Sequence, residues 1–144
     1  MEHWKYQGKE VKTLEDVPNG AIGFIYRIDN KTLNKWYYGR KTIRVLDKKK
    51  KLTKKEKELP ENKRKTFKYV EFEYKGWQEY TGSSDLLNDD IKRGHKITKE
   101  IVRYCYNKKQ LTAWELKYIM CDAITEDKSY NANVMGKIFK KDFE

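Results

Sequence analysis

The chain has 144 residues, of which 38% are hydrophobic and 14% aromatic, an amount that fits one domain closed largely by Tyr, Trp and Phe. Lys and Arg number 33 against 22 Asp and Glu, so the formal net charge is +11, an excess that attracts polyanions such as nucleic acid or an anionic membrane surface. No stretch approaches the roughly 18 apolar residues of a bilayer span, the polar segment Met1–Lys9 does not read as a signal peptide, and no membrane partner is expected.

The expected setting is the cytoplasm, of a bacterial host or of a phage-infected cell. Cys105 and Cys121 lie in otherwise apolar segments and are expected to be buried, reduced thiols. With only His3 and His95 beside them, they are too few for a structural zinc site.

Taken in chain order, residues 21–28 predict a strand, with Ile22, Phe24, Tyr26 and Ile28 on one face by a period of two. Asp29–Asn34 is a polar, turn-rich link. Lys35–Arg40, with Trp36, Tyr37 and Tyr38, predicts a second strand, so the pair reads as an antiparallel hairpin with a longer loop. Charge then concentrates: residues 40–68 hold 14 Lys or Arg against 4 Asp or Glu, a net of +10. Residues 47–65 offer only Leu52, Leu59 and Pro60 as apolar side chains and are read as a solvated helix broken near Pro60 or as a mobile arm.

Residues 66–75 alternate Val70, Phe72 and Tyr74 with Glu71, Glu73 and Lys75, which predicts a half-buried strand. Ser84 caps a helix running to about Arg93, with Gly94 at its end. Lys96–Cys105 is a third strand, and a long helix follows from about Lys108 to Ile124 with Leu111, Trp114, Tyr118, Cys121 and Ala123 or Ile124 as its apolar stripe. Strands first and helices later predict an α+β domain. Tyr69, Phe72, Tyr74, Trp77 and Tyr80 can stack on bases, but a core role is the expectation for most of them.

Cleaving a phosphodiester requires a base for the attacking water and stabilisation of charge on the phosphoryl oxygens, by an arginine or by a divalent ion on a carboxylate. Tyr26 and Tyr37 can approach one another on the hairpin, and a phenol beside a cation can act as a base. Glu115 admits two readings. Thr112-Ala113-Trp114-Glu115 is a capping box that makes it a helix cap. Asn107-Lys108-Lys109-Gln110 is an earlier start that leaves it two turns into the helix and free to face a site, and this start gives the longer apolar stripe.

Gly23-Phe24-Ile25-Tyr26, about ten residues of link, and Tyr37-Tyr38-Gly39 together resemble the two-part signature of GIY-YIG nucleases, with Arg40, Glu115 and Asn131 in family order. The first triplet reads Phe-Ile-Tyr, with its glycine one place early, and the second reads Tyr-Tyr-Gly. The resemblance covers roughly 22–46 and 80–135, and is nearest to the phage-borne free-standing members. It implies a small three-stranded antiparallel sheet flanked by helices, and metal-dependent cleavage of DNA. It also implies that Tyr26 or Tyr37 activates water, that Glu115 is the single carboxylate holding Mg²⁺ (or Mn²⁺), and that Asn131 contacts the site.

Where the family usually carries an arginine on a helix beyond the second motif, this chain has Asp47. Arg44 for transition-state charge and Arg40 for phosphate positioning are the alternatives, with Lys41 a further phosphate contact. On this reading a single domain (core about 21–46 and 76–135) carries a basic insertion at about 47–75. In the insertion, Lys48, Lys49, Lys50, Lys51, Lys54, Lys55, Lys57, Lys63, Arg64 and Lys65 meet DNA phosphates. His95 is a candidate for proton transfer or phosphate contact. Larger relatives carry a separate DNA-binding domain; here the insertion, a second copy in a homodimer, or loose specificity takes its place. Homing, mobile-element and rival-genome roles all stay open, as do a non-catalytic basic nucleic-acid-binding protein and an RNA target.

Overall fold

The computed structural model describes residues 2–144. Its strands and helices in chain order are β1 (Trp4–Tyr6), β2 (Lys9–Val11), β3 (Gly23–Asn30), β4 (Lys35–Thr42), β5 (Arg44–Lys51), α1 (Lys54–Lys57), β6 (Phe67–Glu73), α2 (Asp85–Lys92), β7 (Ile97–Cys105), α3 (Lys108–Asp122), β8 (Asn133–Val134) and β9 (Ile138–Phe139). The expected hairpin is present: β3 and β4 pair residue for residue from Gly23–Thr42 to Asn30–Lys35. β7 lies antiparallel on the other side of β3.

The sheet is larger than the three strands expected. It has five, in the order β2-β1-β7-β3-β4, and β1 runs parallel to β7. The two added strands are three residues each, too short to show a period in the sequence. They form because Gln7 and Gly8 take φ of 50° and 84°, the two-residue turn whose twist suits a hairpin. They are held because Trp4 is fully buried. Its ring lies 5.0 Å from that of Phe24 and 5.1 Å from that of Tyr26, and its Nε1 donates to the Trp77 carbonyl at 2.8 Å. One buried tryptophan covers enough area to fix so short a strand.

Both faces of the sheet are covered. Trp4, Phe24, Tyr26, Ile28 and Ile101 pack beneath Trp77 and Leu87, on the side of α2. Ile25 and Cys105 pack under Leu111 of α3, and Tyr38 with Ile119. Ile22, expected beside Phe24, joins the α3 side instead. The helix ends follow their caps: Ser84 Oγ accepts from Leu87 N at 3.3 Å, Gly94 takes φ +88°, and Asn107 Oδ1 accepts from Gln110 N at 2.9 Å. α3 therefore starts at the earlier of its two candidate caps, and Glu115 lies well inside it. Both cysteines are free, but only Cys105 is buried; Cys121 is exposed, against expectation, because it falls on the solvent side of α3.

The basic segment is neither a long helix nor an unstructured arm. β5 and β6 form a separate two-stranded antiparallel ribbon, with Lys48 opposite Val70, Lys49 opposite Tyr69, Lys50 opposite Lys68 and Lys51 opposite Phe67. A bulge separates Val45 from Lys48, and the one-turn α1, capped by Thr53, sits at the tip. Phe72 and Tyr74, expected to be half-buried, are exposed, since the ribbon has no second layer behind it. Of the remaining aromatics, Tyr69 is exposed, Trp77 is fully buried and Tyr80 packs against the core.

Candidate active site

β4 is an edge strand, and the site is built around it. Tyr26 of β3 stands opposite Gly39 of β4, so the two share a face, and Tyr37, two residues away, shares it too. A Cβ on Gly39 would lie 2.3 Å from the Tyr26 hydroxyl oxygen; only glycine leaves room for that phenol. The rings of Tyr26 and Tyr37 are 6.2 Å apart, and Tyr80 meets Tyr26 edge-on at 6.1 Å. Gly82, at φ +86°, closes over the pair, since a Cβ there would come within 2.8 Å of Tyr37 Cε1 and 3.0 Å of the Tyr26 hydroxyl. The Tyr37 hydroxyl is within 3.2 Å of Ser83 Oγ.

Arg40 reaches toward α3. Its Nη1 donates to Thr112 Oγ1 at 2.7 Å, and its Nε lies 3.7 Å from Glu115 Oε1. Tyr38 stacks on Tyr118 of the same helix at 5.5 Å. The outer edge of β4 is sealed at successive rungs. Trp36 exchanges main-chain hydrogen bonds with Lys128 and Tyr130. Asn131 then does with its side chain what a strand would do with its backbone: Oδ1 accepts from Tyr38 N at 2.9 Å and Nδ2 donates to Tyr38 O at 2.8 Å. Buried on these bonds and on Ser129 Oγ, Asn131 braces the edge strand through its amide.

Around this edge lies a cavity of about 630 Å³, lined among others by Tyr37, Arg40, Ser83, Asp85, Thr112, Glu115 and Asn131. Four of the expected residues therefore meet there: Tyr37, Arg40, Glu115 and Asn131. Tyr26 is buried directly behind Tyr37. Arg44 does not join them. Its Nε donates to the Ala21 carbonyl at 2.7 Å, its Nη2 to that of Pro18 at 2.9 Å, and its Nη1 to Glu71 at 3.3 Å. It is a buried strut between the sheet and the root of the ribbon, because β5 turns away one residue beyond the end of β4.

His95 also departs from its expected role. Its Nδ1 pairs with Asn30 Nδ2 at 3.0 Å, in a network where Asn30 Nδ2 donates to the Tyr130 hydroxyl and that hydroxyl donates to Asp90 at 2.6 Å. It buttresses the Asn30 end of β3 and does not line the cavity. Lys41 lies beside the tyrosines, its Nζ 4.3 Å above the Tyr80 ring. Ser83, Gly82, Tyr80 and Thr112 were not singled out for the site by sequence. Gly82 and Ser83 directly precede a helix cap, and Thr112 reads as a cap itself, so their local roles hid the distant ones.

The electrostatics favour a cation. Burial raises the Glu115 carboxyl above its ordinary range, with the Arg40 guanidinium and main-chain N–H pulling it back down. Burial, then Tyr37 and Tyr80, raises the Tyr26 phenol. Burial raises that of Tyr37 against the hydrogen bond from Ser83. Among the described residues no three of His, Cys, Asp and Glu gather into an all-protein metal cage. Mg²⁺ needs none, since it is commonly held by one or two carboxylates with waters and substrate oxygens. Glu115, partly desolvated, loosely paired and facing a roomy cavity, suits that ion.

Residues 4–134 match the family described as "Putative endonuclease segE, GIY-YIG domain". The chain belongs to the SegE GIY-YIG family. No match was found among curated proteins or among solved structures. The family match spans the ribbon as well as the sheet, so the basic segment lies within the SegE-type domain. Among the described residues no helix is long and apolar enough to cross a membrane.

Proposed function

We propose that the chain is a divalent-metal-dependent endonuclease that hydrolyses phosphodiester bonds in DNA, consistent with a phage-encoded or homing-type setting. The observation that carries the reading is the convergence of Tyr37, Arg40 and Glu115 on one cavity at the edge of the sheet. Glu115 would hold Mg²⁺ (or Mn²⁺), which when bound supplies a Lewis acid for the phosphoryl oxygens and lowers the pKa of a coordinated water. Arg40, held by Thr112, aims its guanidinium at the phosphoryl charge that develops in the transition state.

Tyr37 is the proposed acceptor of the water's proton, because it lines the cavity with Glu115. Its phenol is raised by burial and stays protonated at neutral pH, so it needs a nearby cation to serve as a base. Tyr26 and Ser83 fix its ring and hydroxyl. Asn131 is a positioning residue that keeps β4, and with it Tyr37 and Arg40, in register with α3. The whole of 1–144 is read as one nuclease domain in which residues 47–75 meet the DNA backbone.

Incubating the purified chain with duplex DNA, with and without Mg²⁺, tests the proposal. Cleavage only with the ion, lost in Glu115→Gln while DNA affinity is kept, is the expected result. Uncut DNA under both conditions, on substrates of varied sequence, overturns it. A second reading, a non-catalytic DNA-binding protein, draws on the ribbon lysines, which are solvated whatever the cavity does; it predicts binding unchanged by Glu115→Gln and no cutting by the parent.

A further inference from the structure

The ribbon's charge has an unusual layout. Directly opposed residues of an antiparallel pair project to the same face, so the register puts Lys49, Lys51, Phe67 and Tyr69 on one face and Lys48, Lys50, Lys68 and Val70 on the other. Both faces are cationic, and every residue from Leu46 to Lys51 is exposed. Two of the ammonium groups sit over rings of the facing strand, Lys49 Nζ 4.0 Å from the Phe67 centroid and Lys48 Nζ 5.2 Å from that of Phe72. Tyr69 is 68% exposed between them.

Three of the ribbon's acids are engaged, while Asp47 in β5 and Glu58 and Glu61 at the tip stay exposed. Glu71 is tied to Arg44, Glu73 accepts from Trp77 Nε1 at 2.8 Å, and Glu56 at the tip is paired with Lys68. Among the described residues Lys48, Lys49, Lys50 and Lys51 make no ion pair with any of them. A ribbon that merely lay against a polyanion would need one basic face and would gain by burying the other. Two solvated basic faces with exposed aromatics fit a partner that has negative charge on both sides at once.

We infer that the β5–β6 ribbon lies along the major groove of duplex DNA, its two faces each meeting one of the phosphate walls. That groove, about 12 Å wide and 8.5 Å deep, admits a two-stranded ribbon. Lys48 to Lys51 spans roughly 10 Å at about 3.3 Å per residue, so each face presents two lysines along the groove. The inference rests on duplex DNA being the partner, as in the proposed function, and not on the chemistry at Glu115. Because Arg44 ties the ribbon's root to the sheet one residue beyond β4, the groove so engaged is fixed in place relative to the cavity.

The test uses the full chain without divalent ion, so that DNA stays intact, and measures affinity for a short duplex across salt concentrations. Lys49→Ala/Lys51→Ala strips one face and Lys48→Ala/Lys50→Ala the other; both pairs are exposed, so neither endangers folding. Each variant is expected to weaken binding and to lower the slope of log K against log salt by about 1.8, two contacts at about 0.9 each. Dimethyl sulfate is expected to show guanine N7, in the major groove, protected by the parent and less so by either lysine-pair variant.

A variant pair with the parent's slope and affinity overturns the two-walled fit. Protection of adenine N3 in place of guanine N7, or tighter binding to single strands or RNA than to duplex, overturns the major groove. Groove binding by a chain that does not cut in Mg²⁺ upholds this inference and removes the nuclease. Cutting by variants whose binding matches the parent's does the reverse.

Discussion

Ile43 alone separates two regions built on opposite terms. On its N-terminal side, the polar groups of β4 have assigned partners: Trp36 the 128–130 loop, Tyr38 the Asn131 amide, Arg40 Thr112 and Glu115. On its C-terminal side, the lysines of β5 have water and, for Lys48 and Lys49, the faces of rings on the neighbouring strand. Positions in the first region are set by these specific contacts, the kind of placement the proposed phosphodiester hydrolysis requires. In the second, charge in the right place is enough on the proposed reading, since backbone phosphates ask for no finer placement. The difference teaches that substitutions in the two regions should fail in different ways.

The sharpest break of that comparison sets Arg40 against Arg44. Arg40→Ala is expected to slow cleavage by about 10²–10³-fold, the usual loss for one donor to a transition-state charge, with little change in Tm. Arg44→Ala removes the donors to the buried Ala21 carbonyl and to the Pro18 carbonyl and is expected to cost roughly 2–4 kcal/mol of stability, while the folded fraction keeps its turnover. Single-turnover rates and thermal denaturation of both variants check this; a stable, inactive Arg44→Ala would exchange the two roles.

Glycine sharpens the same contrast sterically. A methyl group on Gly39 meets the Tyr26 hydroxyl at 2.3 Å, whereas one on Gly76, beyond the ribbon, meets nothing within 4 Å. Gly39→Ala must therefore displace a buried ring, at about 1–3 kcal/mol, and Tyr37 with it, so activity falls as well. Gly76→Ala strains only its own backbone, at φ +90°, and is expected to leave turnover unchanged. Equal activities in the two would mean that the Tyr26–Tyr37 pair has no part in the reaction.

What the sequence revealed follows the same division. The β3–β4 hairpin, α2 and its Ser84 cap, β7 and the early start of α3 were legible because local period and capping residues specify them. Tyr37 and Arg40 became candidates through the two-part signature and Glu115 through family order; that they line one cavity is what the fold adds. β1 and β2 were hidden because three residues carry no period and a parallel partnership with β7 is non-local. The ribbon was hidden because the unbroken run Lys48–Lys51 erases alternation in the outer half of β5, leaving only β6 to show it. The arginine stayed unresolved because Arg40 and Arg44 differ in what they touch across the fold, which spacing does not encode.

The acid limb of activity probes the cavity more gently. Glu115 must be ionised to hold a cation, and burial raises its carboxyl above the ordinary 4.5. Proton and metal compete for the ionised form, so Mg²⁺ affinity is expected to fall about tenfold per pH unit once pH drops below that raised pKa. A titration of cleavage against Mg²⁺ at a series of pH values should give an acid limb higher than a solvated carboxylate would. A limb at or below 4.5 would mean that some other group carries the ion.

The smallest effect compares one residue type across the two regions. Lys99, in β7, is fully buried; its Nζ donates to the Gln78 carbonyl at 2.8 Å and lies 4.2 Å above the Trp4 ring. Burial lowers its pKa from 10.5 to about 8. Below pH 8 the group is charged both folded and unfolded, and the folded state bears the whole cost of the buried charge. Between 8 and 10.5 the folded lysine gives up its proton first, and the cost fades. Lys99→Met removes that cost and loses one hydrogen bond, a net gain on the order of 1 kcal/mol at pH 7. The gain should shrink as pH rises from 8 toward 10.5. Lys50→Met, on the ribbon, should show no such pH-dependent gain, because its charge never leaves water. A Lys99→Met advantage that stays constant through pH 10 would mean that the buried ammonium is fully compensated by its carbonyl and its indole, and that the sheet tolerates charge as readily as the ribbon does.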